Sequence, residues 1–140
     1  MTDHARTTTS AWTRHTRRLR YPYLAAAAAM AVLLLAVSLL PHRAIERSAY
    51  PQVSDLFDAA NHFAGFTLFS FLLLSALSGL EGGLSAATLR RYALIALFWG
   101  ALCEGSQLLQ ATRGFQLLDL AANLLPVPLF VGILRRRTSG

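Results

Sequence analysis

The chain has 140 residues, 54% of them hydrophobic and 14% charged, with a mean hydropathy of +0.43. Soluble domains carry about 25% charged residues, so this balance excludes an ordinary soluble globule, and the length allows one domain. The net charge of +6 rests on 13 basic residues, all Arg, which flank apolar runs instead of forming one patch; that excludes a nucleic-acid surface as the reason for the charge.

Residues 1–20 are polar and basic, with Arg6, Arg14, Arg17, Arg18 and Arg20 among Thr, Ser and His. They show no helical or strand periodicity and read as a mobile cytoplasmic tail touching anionic headgroups, or equally as a plain topology signal. Tyr21 and Tyr23 come next, where an interfacial aromatic belt would lie. The first apolar run, residues 22–40, is long enough to span a bilayer core. A cleavable signal peptide would have a shorter apolar region and an Ala-x-Ala site, so the run is expected to be a retained helix.

Residues 41–57 read as a loop, with Pro51 stopping any helix through it and Ser54 or Asp55 capping the next helix. That second helix is predicted over 56–80, with Asp58, Asn61 and His62 in its first turns. Residues 81–91 read as a short polar connection loosened by Gly79, Gly82 and Gly83. The third helix is predicted over 92–110 and the fourth over 117–134, kinked by Pro126 and Pro128 and stopped by Arg135, Arg136 and Arg137. Phe63, Phe66, Phe69 and Phe71 read as lipid-facing or packing residues, and Ala101 with Gly105 as a close-packing face. The lone Cys103 excludes an intrachain disulfide and reads as a small apolar residue inside a helix.

The expected fold class is all-α integral membrane: four transmembrane helices in an antiparallel bundle over residues 21–137, behind a basic tail. Arg counting sets the orientation. With both termini cytoplasmic, ten Arg face inward, and Arg43, Arg47 and Arg113 face outward. Composition and charge point to a multi-pass protein of a bacterial inner membrane.

This layout places the polar residues at one level. Asp58 and His62 are four apart at the outer start of the second helix and share a face. Glu104 and Gln107 are three apart near the outer end of the third helix. Arg113 lies in the outer turn, and Asp119 and Asn123 are four apart at the outer start of the fourth helix. Each has a plainer reading. Asp58 and Asp119 complement helix dipoles, His62 snorkels to water, and Gln107 and Asn123 bond between helices. Glu104, inside an apolar run, needs a partner, with Arg113 or His62 the candidates. The inner halves of the helices carry almost no polar residues, which argues against a transport pathway.

The pattern Glu104-x-x-Gln107, then Arg113, then Asp119-x-x-x-Asn123, together with Asp58-x-x-x-His62-Phe63, resembles the VanZ-like membrane protein family over residues 30–134. Three features depart from that family's pattern. Ala59 stands where a Lys often comes after the Asp, Pro126 where a Gly often comes after the Asn, and Ala111-Thr112-Arg113 replaces a Pro-x-Arg turn. The resemblance implies a location at the cell envelope, since the founding member is associated with resistance to the glycopeptide teicoplanin. It carries no established molecular activity.

Three functional readings are open. In the first, the outer polar site binds or modifies an envelope lipid or lipid-linked precursor. Arg113 holds a phosphate or carboxylate, Glu104 and His62 are the candidate catalytic acid and base, and Asp58, Gln107, Asp119 and Asn123 complete the binding site. In the second, the cluster locks the bundle of a non-catalytic accessory subunit with a membrane-protein partner. The third, a metal held by Asp58, His62, Glu104 and Asp119, lacks any ligand motif. No cofactor or metal is expected.

Overall fold

The computed structural model describes residues 11–39, 51–109 and 116–138, with side chains placed for 15–39, 56–109 and 116–134. Every regular element among them is a helix: α1 Ala11–Arg18, α2 Arg20–Ser38, α3 Pro51–Glu81, α4 Ala86–Gln107, α5 Leu117–Leu124 and α6 Pro126–Thr138. Four stretches are long and apolar enough to cross a membrane: Arg20–Ser38, Leu56–Glu81, Ala86–Gln107 and Leu117–Leu134.

The boundaries reflect local chemistry, and several correct the expectations from sequence. Residues 11–18 form a helix, not an unstructured tail, and contrary to expectation their polar and less polar residues segregate at helical spacing. Pro22 separates α1 from α2: it has no N–H to offer the Arg18 carbonyl, and its ring crowds that group. The ladder closes on either side, from Leu19 N–H to the His15 carbonyl at 3.1 Å and from Tyr23 N–H to Leu19 at 2.9 Å. Pro51 opens α3 instead of blocking it, because a proline in the first turn forfeits no intrahelical bond. Ser54 and Asp55 therefore lie inside the helix and are not its caps.

The polar connection before α4 is also shorter than expected. Ser85 is the N-cap, and its hydroxyl accepts from Thr88 N–H at 3.0 Å while the Thr88 hydroxyl accepts from Ser85 N–H at 3.3 Å. The Thr88 hydroxyl donates to Glu81 Oε2 at 2.6 Å, and Arg91 donates to Glu81 Oε1 at 2.6 Å, so the end of α3 and the start of α4 form one polar knot. Gly82, with φ of 78°, supplies the left-handed residue that ends α3. The fourth span is interrupted at Leu125, as two prolines without N–H groups at 126 and 128 require.

Helix α3 is the centre of the bundle and touches each of the other five helices. Half of its apolar window is buried, against 11% for α2, so α2 is peripheral. Phe66, Phe69, Leu73 and Leu74 of α3 meet Tyr92, Ala96 and Cys103 of α4, Ala27 of α2 and Val127 of α6 in one core. Trp99 donates its indole N–H to the Ala31 carbonyl at 3.1 Å and ties α4 to α2. Of the four phenylalanines, Phe66 and Phe69 are core, edge to face at 6.0 Å, whereas Phe71 is partly exposed. Val32, Leu33, Val37, Leu94, Phe98, Leu129 and Ile133 leave an apolar outer surface.

Close packing falls elsewhere than expected. Ala101 is exposed and a side chain at Gly105 would meet open space, so that pair is not a packing face within the described chain. The tight point is Gly100: a Cβ there would lie 3.0 Å from Leu124, 3.4 Å from the Asn123 Cβ and 3.6 Å from Phe66. Its missing side chain lets α5 and α3 close on α4 one turn before Glu104.

Candidate functional site

Helix α3 gives the vertical scale. His62 and Glu81 are separated by 19 residues, about 28 Å at 1.5 Å per residue, close to the thickness of a hydrocarbon core of about 30 Å. The two polar layers of the bundle, one around His62 and one around Glu81, therefore have the spacing of two membrane interfaces.

The His62 layer contains two hydrogen-bonded units. In the first, His62 Nδ1 lies 2.9 Å from Asn123 Oδ1 and donates to it, with the ring tautomer assigned from this contact. His62 Nε2 lies 3.8 Å from Asp119 Oδ2. The imidazole thus lies between two residues of α5 one turn apart, hydrogen-bonded to Asn123, while 13% of its side chain stays exposed against 3% for Asp119. Asn123 is 1% exposed, and its Nδ2 has no hydrogen-bond partner among the described atoms. Gly100 allows this unit, because it admits the Asn123 Cβ against α4.

In the second unit, Glu104 is fully buried near the end of α4. Its Oε1 accepts the backbone N–H of Gln116 at 2.8 Å, and its Oε2 accepts from Gln107 Nε2 at 3.3 Å. Gln116 is the N-cap residue of α5, whose first turn also contains Asp119. Two carboxylates therefore stand at the N-terminus of α5, where unpaired N–H groups and the helix dipole favour negative charge. A hydrocarbon surround makes that satisfaction necessary, since it supplies no water to an orphaned group.

Five of the expected site residues, His62, Glu104, Gln107, Asp119 and Asn123, are thus gathered by three helices. Asp58 sits one turn before His62 on α3, half-buried, with its Oδ2 shielded from solvent. Arg113 lies outside the described residues. Sequence reasoning missed Gln116, whose contribution is a main-chain N–H; the signal was present in the expected helix start at Leu117, which leaves that N–H without an intrahelical acceptor. It also missed Gly100. Among the described residues, no three His, Cys, Asp or Glu side chains converge as a metal site would need. Chemically, the layer offers one partly exposed imidazole oriented by a carboxylate and an amide, and one carboxylate that holds a helix end.

Comparison with family models, curated proteins and solved structures gives no match.

Proposed function

We propose that the chain is a VanZ-like protein of a bacterial inner membrane, with an outer-face polar site that binds the headgroup of an envelope lipid or lipid-linked precursor and can exchange a proton with it. Both termini face the cytoplasm in this reading, and the four spans are antiparallel. The antiparallel part of this reading is supported for α3 and α4 by their register, where Phe66 faces Gly100 and Glu81 faces Thr88; the orientation rests on the distribution of Arg. The observation that carries the function is His62. Of the side chains in the two hydrogen-bonded units it is the one left partly open, and its ring is fixed between Asn123 and Asp119. With Nδ1–H given to Asn123, Nε2 can take a proton from a phosphate headgroup and, once protonated, donate to it. Asp119 and Asn123 position the ring, Glu104 and Gln107 hold α4 against the start of α5, and Arg113 supplies the anion-binding charge.

A second reading is favoured by Glu104 itself. Both of its oxygens are engaged within the bundle, as in a cluster whose role is structural, and a non-catalytic accessory subunit would need nothing more. Native mass spectrometry of the protein in mild detergent, mixed with a polyprenyl phosphate, separates the two. The site reading expects the wild type to retain the lipid, and His62→Ala to lose it at a temperature where it is still folded. Retention unaffected by His62→Ala, or none in the wild type, leaves the accessory reading.

A further inference from the structure

The layer around Glu81 has a different chemistry. Helix α1 is docked there: Thr16 is fully buried, and a Cβ at Gly79 would overlap the Thr16 carbonyl and stand 2.9 Å from the Arg20 Cβ. The corner between α1 and α2 is fixed as well, since His15 Nε2 lies 3.0 Å from the Tyr23 hydroxyl and the Tyr23 ring packs edge-on against Phe71 at 6.2 Å. Docking brings Arg17 to the α3–α4 turn, where its guanidinium is 3.1 Å from the position of a Cβ on Gly82. Arg17, Arg18, Arg90 and Arg91 are exposed. The carboxylate of this layer among the described residues, Glu81, is already bound by Arg91 and Thr88. Leu19, Tyr21 and Leu80, at the same end of the bundle, are exposed, and the Arg20 guanidinium lies 4.9 Å from the centre of the Tyr21 ring.

We infer that α1, docked through Gly79, joins the first turns of α4 to form a surface for the phosphate groups of anionic phospholipids. Charge and position identify the occupant. Exposed guanidinium groups and exposed apolar side chains share the Glu81 end of the bundle, about 28 Å along α3 from His62 and so at the spacing of the second membrane interface, and arginine matches phosphate oxygens geometrically. The surface depends on α1 being seated, and so on a single missing Cβ at Gly79.

The test is native mass spectrometry of the detergent-solubilised protein, titrated with phosphatidylglycerol or phosphatidylcholine. The wild type should prefer phosphatidylglycerol by roughly fivefold or more, the order expected of one arginine near an anionic surface. The triple change Arg17→Gln, Arg18→Gln and Arg90→Gln should abolish the preference. Gly79→Ala keeps every arginine but unseats α1, so it should also lose most of it; hydrogen exchange over residues 11–18 reports the unseating. Equal retention of the two lipids by the wild type overturns the proposal. So does an undiminished preference in a Gly79→Ala protein whose residues 11–18 exchange freely, which would leave only diffuse attraction to arginine.

Discussion

Glu104, close to the end of α4, places Oε1 2.8 Å from the backbone nitrogen of Gln116, the residue that caps α5. A carboxylate inside an apolar run thus satisfies a main-chain donor at a helix start, where the dipole favours its charge. The contact bridges the connection between the third and fourth apolar spans and fixes where the fourth begins.

Glu104→Gln should keep an acceptor for Gln116 but lose the charge assistance, at a cost of about 1–2 kcal/mol. Glu104→Leu removes the acceptor and leaves both the Gln116 N–H and the Gln107 amide buried without it, so about 3 kcal/mol or more is expected. Melting in detergent measures both. A Glu104→Leu protein as stable as the wild type would show that the contact holds nothing.

Gly100→Val should be more damaging than Gly100→Ala. The first added carbon already lies 3.0 Å from Leu124 and 3.4 Å from the Asn123 Cβ, and only the Leu124 end is free to swing aside. Overpacking costs about 1–3 kcal/mol, and here it also pushes Asn123 away from His62. The expected readout is a lowered melting temperature together with a shifted imidazole resonance for His62. An unshifted resonance in a folded Gly100→Val protein counts against the coupling of packing to the site.

Much of this was legible in the sequence. Long apolar runs mark the four spans, and His62 meets the 119/123 pair because helical spacing puts Asp119 and Asn123 on one face, as it does Glu104 and Gln107. The fine boundaries were not legible. A proline such as Pro51 breaks a helix from its interior but opens one from its first turn, and the local sequence suits either role. The Ser85–Thr88 capping box uses Thr in place of the usual Glu or Gln. The helical spacing of residues 11–18 was overlooked, but the seat of α1 was invisible for another reason: it depends on the missing Cβ of Gly79, 63 positions from Thr16. One partner of Glu104 is a backbone group, which side-chain patterns cannot display.

The polar knot at the other end should be dominated by its cap. Ser85→Ala should cost about 1 kcal/mol as the loss of an N-cap. Thr88→Val removes the hydroxyl that serves both Ser85 and Glu81, and should cost more. Arg91→Gln breaks a bridge whose arginine is 64% exposed, so about 0–1 kcal/mol is expected. Thermal melts of the three variants check the order; Arg91→Gln as the most damaging change would reverse it.

Topology is testable by labelling, because the native Cys103 is fully buried and gives little background. With both termini cytoplasmic, cysteines at Thr8 and Ser139 should resist an impermeant thiol reagent in intact cells, and one at Ser48 should react. Reaction at Ser139 without lysis would remove the four-span scheme.

The sharpest contrast lies between two polar side chains buried alike: Asn123 and Gln107 are each 1% exposed. Asn123 holds His62, whereas Gln107 holds Glu104. Asn123→Ala and Gln107→Ala should each cost about 1–3 kcal/mol through a lost hydrogen bond and a small cavity. His62→Ala leaves the buried Asn123 Oδ1 without its donor and should cost a similar amount, about 1–3 kcal/mol. If the imidazole is the working group, retention of a polyprenyl phosphate ranks differently from stability. It should vanish in His62→Ala, fall in Asn123→Ala because the ring loses its orientation, and survive in Gln107→Ala despite the stability loss. Measuring melting and lipid retention on the same preparations separates the two orders. Retention that simply tracks melting temperature across the three variants would make the whole layer a structural lock, and the outer-face site would have to be given up.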